Sequence, residues 1–108
     1  MANFVVTAPL AENYRQALDK AYRDAEADKP FILPDDMAQS RESHFQYLEQ
    51  LKADGKLFCA GPFTDFSAAM LIFEGVSREE VEQIMEREPH ILTGFMVGWV
   101  IKEWQQKF

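Results

Sequence analysis

The sequence predicts an α+β fold, a ferredoxin-like sandwich in which two helical units cover one antiparallel sheet. Two observations predict it. Short apolar runs of strand length alternate with stretches whose apolar residues recur at three- and four-residue steps. Their order is strand, helix with an extra helical piece, strand, strand, helix, strand. A third observation predicts the assembly: the runs LFCAG, AAMLIFE and FMVGWVI are apolar on both faces, whereas a sheet with one wet face should alternate. Helices cover only one face, so a second copy of the chain is expected on the other, giving a homodimer with room for further assembly.

The elements follow in order. Phe4 to Thr7 is a β-rich run closed by Pro9. From Glu12 to Asp28, Tyr14, Ala17, Leu18, Ala21, Tyr22 and Ala25 share one thin, Ala-rich helical face. Pro30 and Pro34 stop that helix and leave Phe31, Ile32 and Leu33 as an apolar loop over a pocket. Asp35 or Ser40 can cap the next helix, which carries Phe45, Leu48 and Leu51 inward. Gly55 suits a left-handed cap at its end, and Lys52 and Lys56 complement its dipole. LFCAG then forms a buried strand broken by Gly61-Pro62. Ala68 to Glu74 is the third strand. Ser77-Arg78-Glu79-Glu80 reads as a capping box, and Val81, Ile84 and Met85 face inward from the helix behind it. Phe95 to Trp104 is expected as one long final strand.

Composition sets limits. The 108 residues form a single domain, 1–108, of which 47% are apolar. A net charge of −7 gives no basic face for nucleic acid or an anionic membrane. The N-terminus has neither a basic start nor a long apolar run, so neither a signal peptide nor a membrane span is expected, and the protein reads as cytoplasmic. Cys59, the lone cysteine, is expected as a buried structural thiol. No phosphate loop, nucleophile elbow or dinucleotide fingerprint is present, and no spacing of histidines suits a metal, so neither cofactor nor metal is expected.

One stretch, Arg41 to Pro62, looks like a site. His44 lies on or beside the apolar face of its helix, four residues before Leu48. Arg41 is one turn away and could hold an anion bidentately. An imidazole against an apolar wall is suited to general acid–base work. Two carboxylates could orient it: Glu88, which falls on the stripe of Val81 and Ile84, and Asp65, just past the Gly61-Pro62 turn. Each also has a plain reading, Glu88 at a helix end in water and Asp65 as a turn residue. Gly61, Pro62, Phe63, Phe66 and Trp99 could line a pocket for an aromatic ligand, and His90 reads as a loop residue.

With these residues in view, the chain resembles the YCII family. The marks are Arg41-Glu42-Ser43-His44, then Leu48, Gly55, Gly61-Pro62 and Glu88-Pro89-His90, spanning roughly residues 3 to 104. The resemblance implies a dimeric α+β barrel and a site built on a histidine and an aspartate. It also implies small-molecule chemistry, since one member eliminates chloride from a chlorinated hydroxyhydroquinone. Here the family's Asp is Glu88 and its aromatic residue is His90, which moves the carboxylate by one methylene. The expected function is a small cofactor-independent isomerase or lyase, with His44 as base, Glu88 or Asp65 orienting it and Arg41 binding the anion. The alternatives are a non-catalytic ligand-binding or accessory domain, and a structural dimer module.

Overall fold

The computed structural model of the chain describes residues 3–108. Strand β1 (Asn3–Pro9) leads to helices α1 (Glu12–Glu26) and α2 (Asp35–Ala53). Strands β2 (Leu57–Pro62) and β3 (Ala68–Glu74) follow, then helices α3 (Arg78–Glu86) and α4 (Pro89–Leu92) and strand β4 (Val100–Trp104). The sheet order is β2-β3-β1-β4 and every pairing is antiparallel. This is the ferredoxin-like arrangement of an α+β fold, with α1 as the added helix.

The strand period of two decides which residues are buried. Phe4, Val6 and Ala8 stand opposite Phe73, Leu71 and Ala69, and Val6 opposite Ile101. All are buried, in one cluster with Tyr14, Leu18 and Ala21 of α1, Met37 and Leu51 of α2, and Val81, Ile84 and Met85 of α3. The helices therefore cover one sheet face. On the other, Val5, Met70 and Ile72 are only partly covered and Val100 is half exposed.

Three local expectations need correction. The final strand does not begin at Phe95. Glu88-Pro89 starts the extra turn α4, and Gly94 and Gly98 take φ of +79° and +56°, which a β-strand cannot contain. Phe95 and Met96 are buried in the connecting turn, and Met96 makes a single bridge to Leu10. Cys59 is exposed, because β2 is an edge strand in which only Leu57 is buried and the register slips between Leu57 and Cys59. Pro62 closes β2 without breaking it, since an edge strand tolerates proline at its end.

Neither Asp35 nor Ser40 caps α2. The chain enters it from Pro34 with no side-chain cap, so Asp35 is already helical and Ser40 lies one turn inside. Two other helix ends follow their sequences. α2 stops in a Schellman motif: Gly55 has φ of +76°, its N–H donates to the Lys52 carbonyl, and Lys56 N–H donates to the Leu51 carbonyl. Ser77 Oγ accepts from Glu80 N–H at 3.1 Å at the start of α3. The Glu80 carboxylate lies 3.5 Å from Lys56 Nζ, so half of the capping box serves an inter-element ion pair.

Candidate acid–base site

Helix α2 builds the site with a stripe rotated from the one its apolar residues suggest. Met37, Ser40, His44, Tyr47 and Leu51 recur at steps of three and four and face the core, whereas Phe45 is largely exposed. Tyr47 Oη donates to the Ile84 carbonyl at 2.8 Å, fixing α2 against the end of α3. The same face then meets α4, where Ser40 and His44 find their partners.

His44 Nδ1 is hydrogen-bonded to Glu88 Oε1. Glu88 is fully buried, and its other oxygen, Oε2, accepts from the backbone N–H groups of His90 (3.1 Å) and Ile91 (3.3 Å). Glu88 is thus the N-cap of α4, and three donors converge on one carboxylate. That convergence answers the cost of burying it. Because Nδ1 is engaged, the neutral His44 ring carries its lone pair on Nε2. Nε2 has no partner among the described residues and is not a sealed polar atom, and the His44 side chain is 12% exposed.

The His44 ring lines a cavity of about 410 Å³ between α1, α2 and the β2–β3 side of the sheet. Tyr14, Tyr22, Arg41 and Phe66 line it with His44, His90 and an apolar floor. Arg41 Nη2 donates to Tyr22 Oη at 2.9 Å, and its guanidinium lies 4.5 Å from the Phe45 ring centre and 5.0 Å from that of Phe31. Among the described residues it forms no ion pair, so its charge is available at the cavity wall. The Phe31–Leu33 loop stands at this rim: Phe31 packs edge-on against Tyr22, whose other face stacks on Phe66.

Several expected residues fall elsewhere. Asp65 is not beside His44. It sits in the β2–β3 turn, where its carboxylate accepts from Ser67 N–H (2.9 Å) and Oγ–H (2.6 Å), bonds that hold it below the usual carboxylate range. Gly61 and Pro62 do line the cavity, but Phe63 and Trp99 do not; Phe63 is turned outward and Trp99 packs against the core. His90 is no surface loop residue. It is buried and stacks on His44 with ring centres 4.2 Å apart. Its Nε2 is 3.0 Å from Tyr14 Oη and its Nδ1 2.8 Å from Ser40 Oγ. Burial, then the nearby His44 and Arg41, pulls its pKa down to about 3, so it is neutral. Burial likewise pushes Tyr14 up to about 12. The clue to Ser40 was its place four residues before His44, one turn up the same face; Tyr14 offered only a phenol on an Ala-rich stripe. Among the described residues, no three His, Cys, Asp or Glu side chains cluster as metal ligands would.

Comparison with known proteins places the fold and the family. A solved structure of 5-chloro-2-hydroxyhydroquinone dehydrochlorinase from Burkholderia phenoliruptrix AC1100, in complex with 2,5-dihydroxybenzoquinone, superposes with a TM-score of 0.63. It covers 97% of this chain and 95% of its own at 21% identity, a likeness of fold. The uncharacterized protein YjpA of Bacillus subtilis (strain 168) is 33% identical over 64 residues, 59% of this chain and 74% of the relative. The YCII-related domain matches residues 11–105, a span that holds every helix, strands β2 to β4 and the His44–Glu88 pair. The chain belongs to the YCII-related family.

Proposed function

We propose that the chain is a cofactor-independent acid–base enzyme acting on a small, oxygenated, cyclic or aromatic molecule, by proton abstraction leading to isomerisation or elimination. The observation that carries this reading is the direct His44–Glu88 hydrogen bond, made through Nδ1 by a ring that lines the cavity. His44 Nε2 takes the proton, and the Glu88 carboxylate stabilises the imidazolium that forms. The electron pair left on the ligand moves toward a ring oxygen, where the Arg41 guanidinium faces developing negative charge. In an isomerisation the imidazolium returns the proton to another atom. In an elimination the pair expels an anion such as chloride, and the proton stays on His44 until solvent removes it. The chemistry of the fold neighbour, a dehydrochlorinase holding a dihydroxybenzoquinone, supports a ring of that size and polarity.

The test uses two probes. 2,5-Dihydroxybenzoquinone should bind the wild-type protein, and Arg41→Gln should weaken binding at least tenfold. Chloride release from 5-chloro-2-hydroxyhydroquinone should fall by about 10²–10⁴-fold in His44→Ala. Release undiminished in that variant removes His44 as the base, and a wild-type protein that binds neither compound removes the ligand class.

We further propose that a second copy covers the open sheet face formed by Val5, Met70, Ile72 and Val100. The same apolar surface would otherwise meet water on the least polar side of the sheet.

A further inference from the structure

Beside the His44–Glu88 pair runs a second polar chain that the step above does not use. Tyr14 Oη, His90 Nε2 and Nδ1, Ser40 Oγ and Thr93 Oγ1 follow one another at 3.0, 2.8 and 2.9 Å. Its inner end lines the cavity, through Tyr14 and His90. Its outer end, Thr93, is exposed. The chain therefore connects the ligand space to bulk water through buried groups.

Each member carries one mobile proton, which leaves two self-consistent arrangements. In the first, Tyr14 donates to His90 Nε2, His90 Nδ1–H to Ser40, Ser40 to Thr93, and Thr93 to the Pro89 carbonyl 3.0 Å away. The Tyr14 oxygen then has a lone pair to offer a ligand. In the second, every bond is reversed: Thr93 donates to Ser40, Ser40 to Nδ1, and Nε2–H to the Tyr14 oxygen. The Tyr14 O–H is then free to donate into the cavity. The first makes one more internal hydrogen bond, so it is the resting state; the second needs a ligand acceptor to replace the bond lost at Pro89. His90 is uncharged in both, as its burial against the His44 ring requires.

We propose that Tyr14 is a second ligand-contacting group, and that the His90–Ser40–Thr93 chain sets whether its hydroxyl accepts from or donates to a ligand oxygen. The site would then hold one ring oxygen both as a hydroxyl and as a carbonyl or oxyanion, the two forms that a tautomerisation or elimination interconverts. This rests on the acid–base reading of the cavity. The passage between arrangements balances: a proton leaving the ligand hydroxyl joins the Tyr14 oxygen, and the Tyr14 proton moves to Nε2. The Nδ1 proton moves to Ser40, the Ser40 proton to Thr93, and the Thr93 proton to surface water. The ligand oxygen keeps the electron pair.

The decisive readout is the tautomer of His90, seen by nitrogen-15 NMR of histidine-labelled full-length protein. The free wild-type protein should show the Nδ1–H form. Thr93→Val, an exposed and nearly isosteric change, removes the acceptor for the Ser40 proton and should switch His90 to the Nε2–H form. Thr93→Ser should restore Nδ1–H. A wild-type Nε2–H tautomer, or no switch in Thr93→Val, overturns the chain. Adding p-nitrophenolate should switch the wild-type ring to Nε2–H as the anion accepts from Tyr14. Binding that perturbs His44 but leaves the His90 tautomer unchanged overturns the Tyr14 contact. A failure of p-nitrophenolate to bind instead overturns the anion site proposed above, while the Thr93 variants still decide the chain.

Discussion

Glu88 and His90 show how much one residue can carry. Glu88 satisfies two backbone donors at the start of α4 and orients His44 from the same carboxylate. Glu88→Gln keeps the volume but gives one carbonyl oxygen and one amide where three donors converge. The fully buried mismatch should cost about 1–3 kcal/mol, read as a lower midpoint in urea melts. His90 makes stability depend on pH. In the unfolded chain its ring takes a proton near pH 6.5, in the folded chain only near about 3. Between these values the unfolded state binds the extra proton, so stability is intact above pH 6.5 and falls as pH drops through that window. Melts from pH 7 to pH 4 should show this loss, with a flatter slope in His90→Gln. In the sequence Glu88 was visible by its place on the stripe of Val81 and Ile84. His90 was not, because no periodicity marks a histidine in a tight turn, and its burial comes from the long-range contacts with Tyr14 and Ser40.

At the scale of elements, local physics was legible where one rule acted alone. Gly55 is such a case: its φ of +76° lies where a side chain is strained, and a Cβ there meets no atom within 4 Å. Gly55→Ala should therefore cost only the backbone term, about 1–2 kcal/mol, and lower Tm by several degrees without altering the site. Helix α2 was legible as a helix, yet its inward stripe was misjudged. Leu48 packs against the core and Leu51 is buried as expected, but Phe45 is not, and Ser40 joins His44 on the inner face because α4 supplies polar partners for both. Phe45 turns to the Arg41 guanidinium instead. Strand β4 was overextended for a related reason. Phe95 to Trp99 is apolar enough for a strand, while the positive φ of Gly94 and Gly98 bends it into the turn that places His90.

For the whole molecule, the alternation of Phe4, Val6 and Ala8 against Leu71 and Phe73 put the sheet's inner face within reach of the sequence. The outer face left the sharper mark: apolar residues with no helix to cover them. If a second copy covers it, Ile72→Lys should shift the protein from dimer to monomer or precipitate it, as light scattering on eluting peaks will show. A wild-type protein that elutes as a monomer at high concentration would rule that pairing out. One wall of the cavity was legible in Arg41, His44, Gly61, Pro62 and Phe66, but the wall that α1 supplies through Tyr14, Leu18 and Tyr22 was not, since it depends on how α1 packs across α2 and β2. Acid–base chemistry in the cavity depends on the state of one ring, and the direct measurement is the nitrogen-15 spectrum of His44 in the intact protein. We expect the neutral ring to carry its proton on Nδ1, shared with Glu88, leaving Nε2 bare and accessible, and to lose that preference in Glu88→Gln. A proton resting on Nε2 in the wild-type protein would mean that no base faces the cavity.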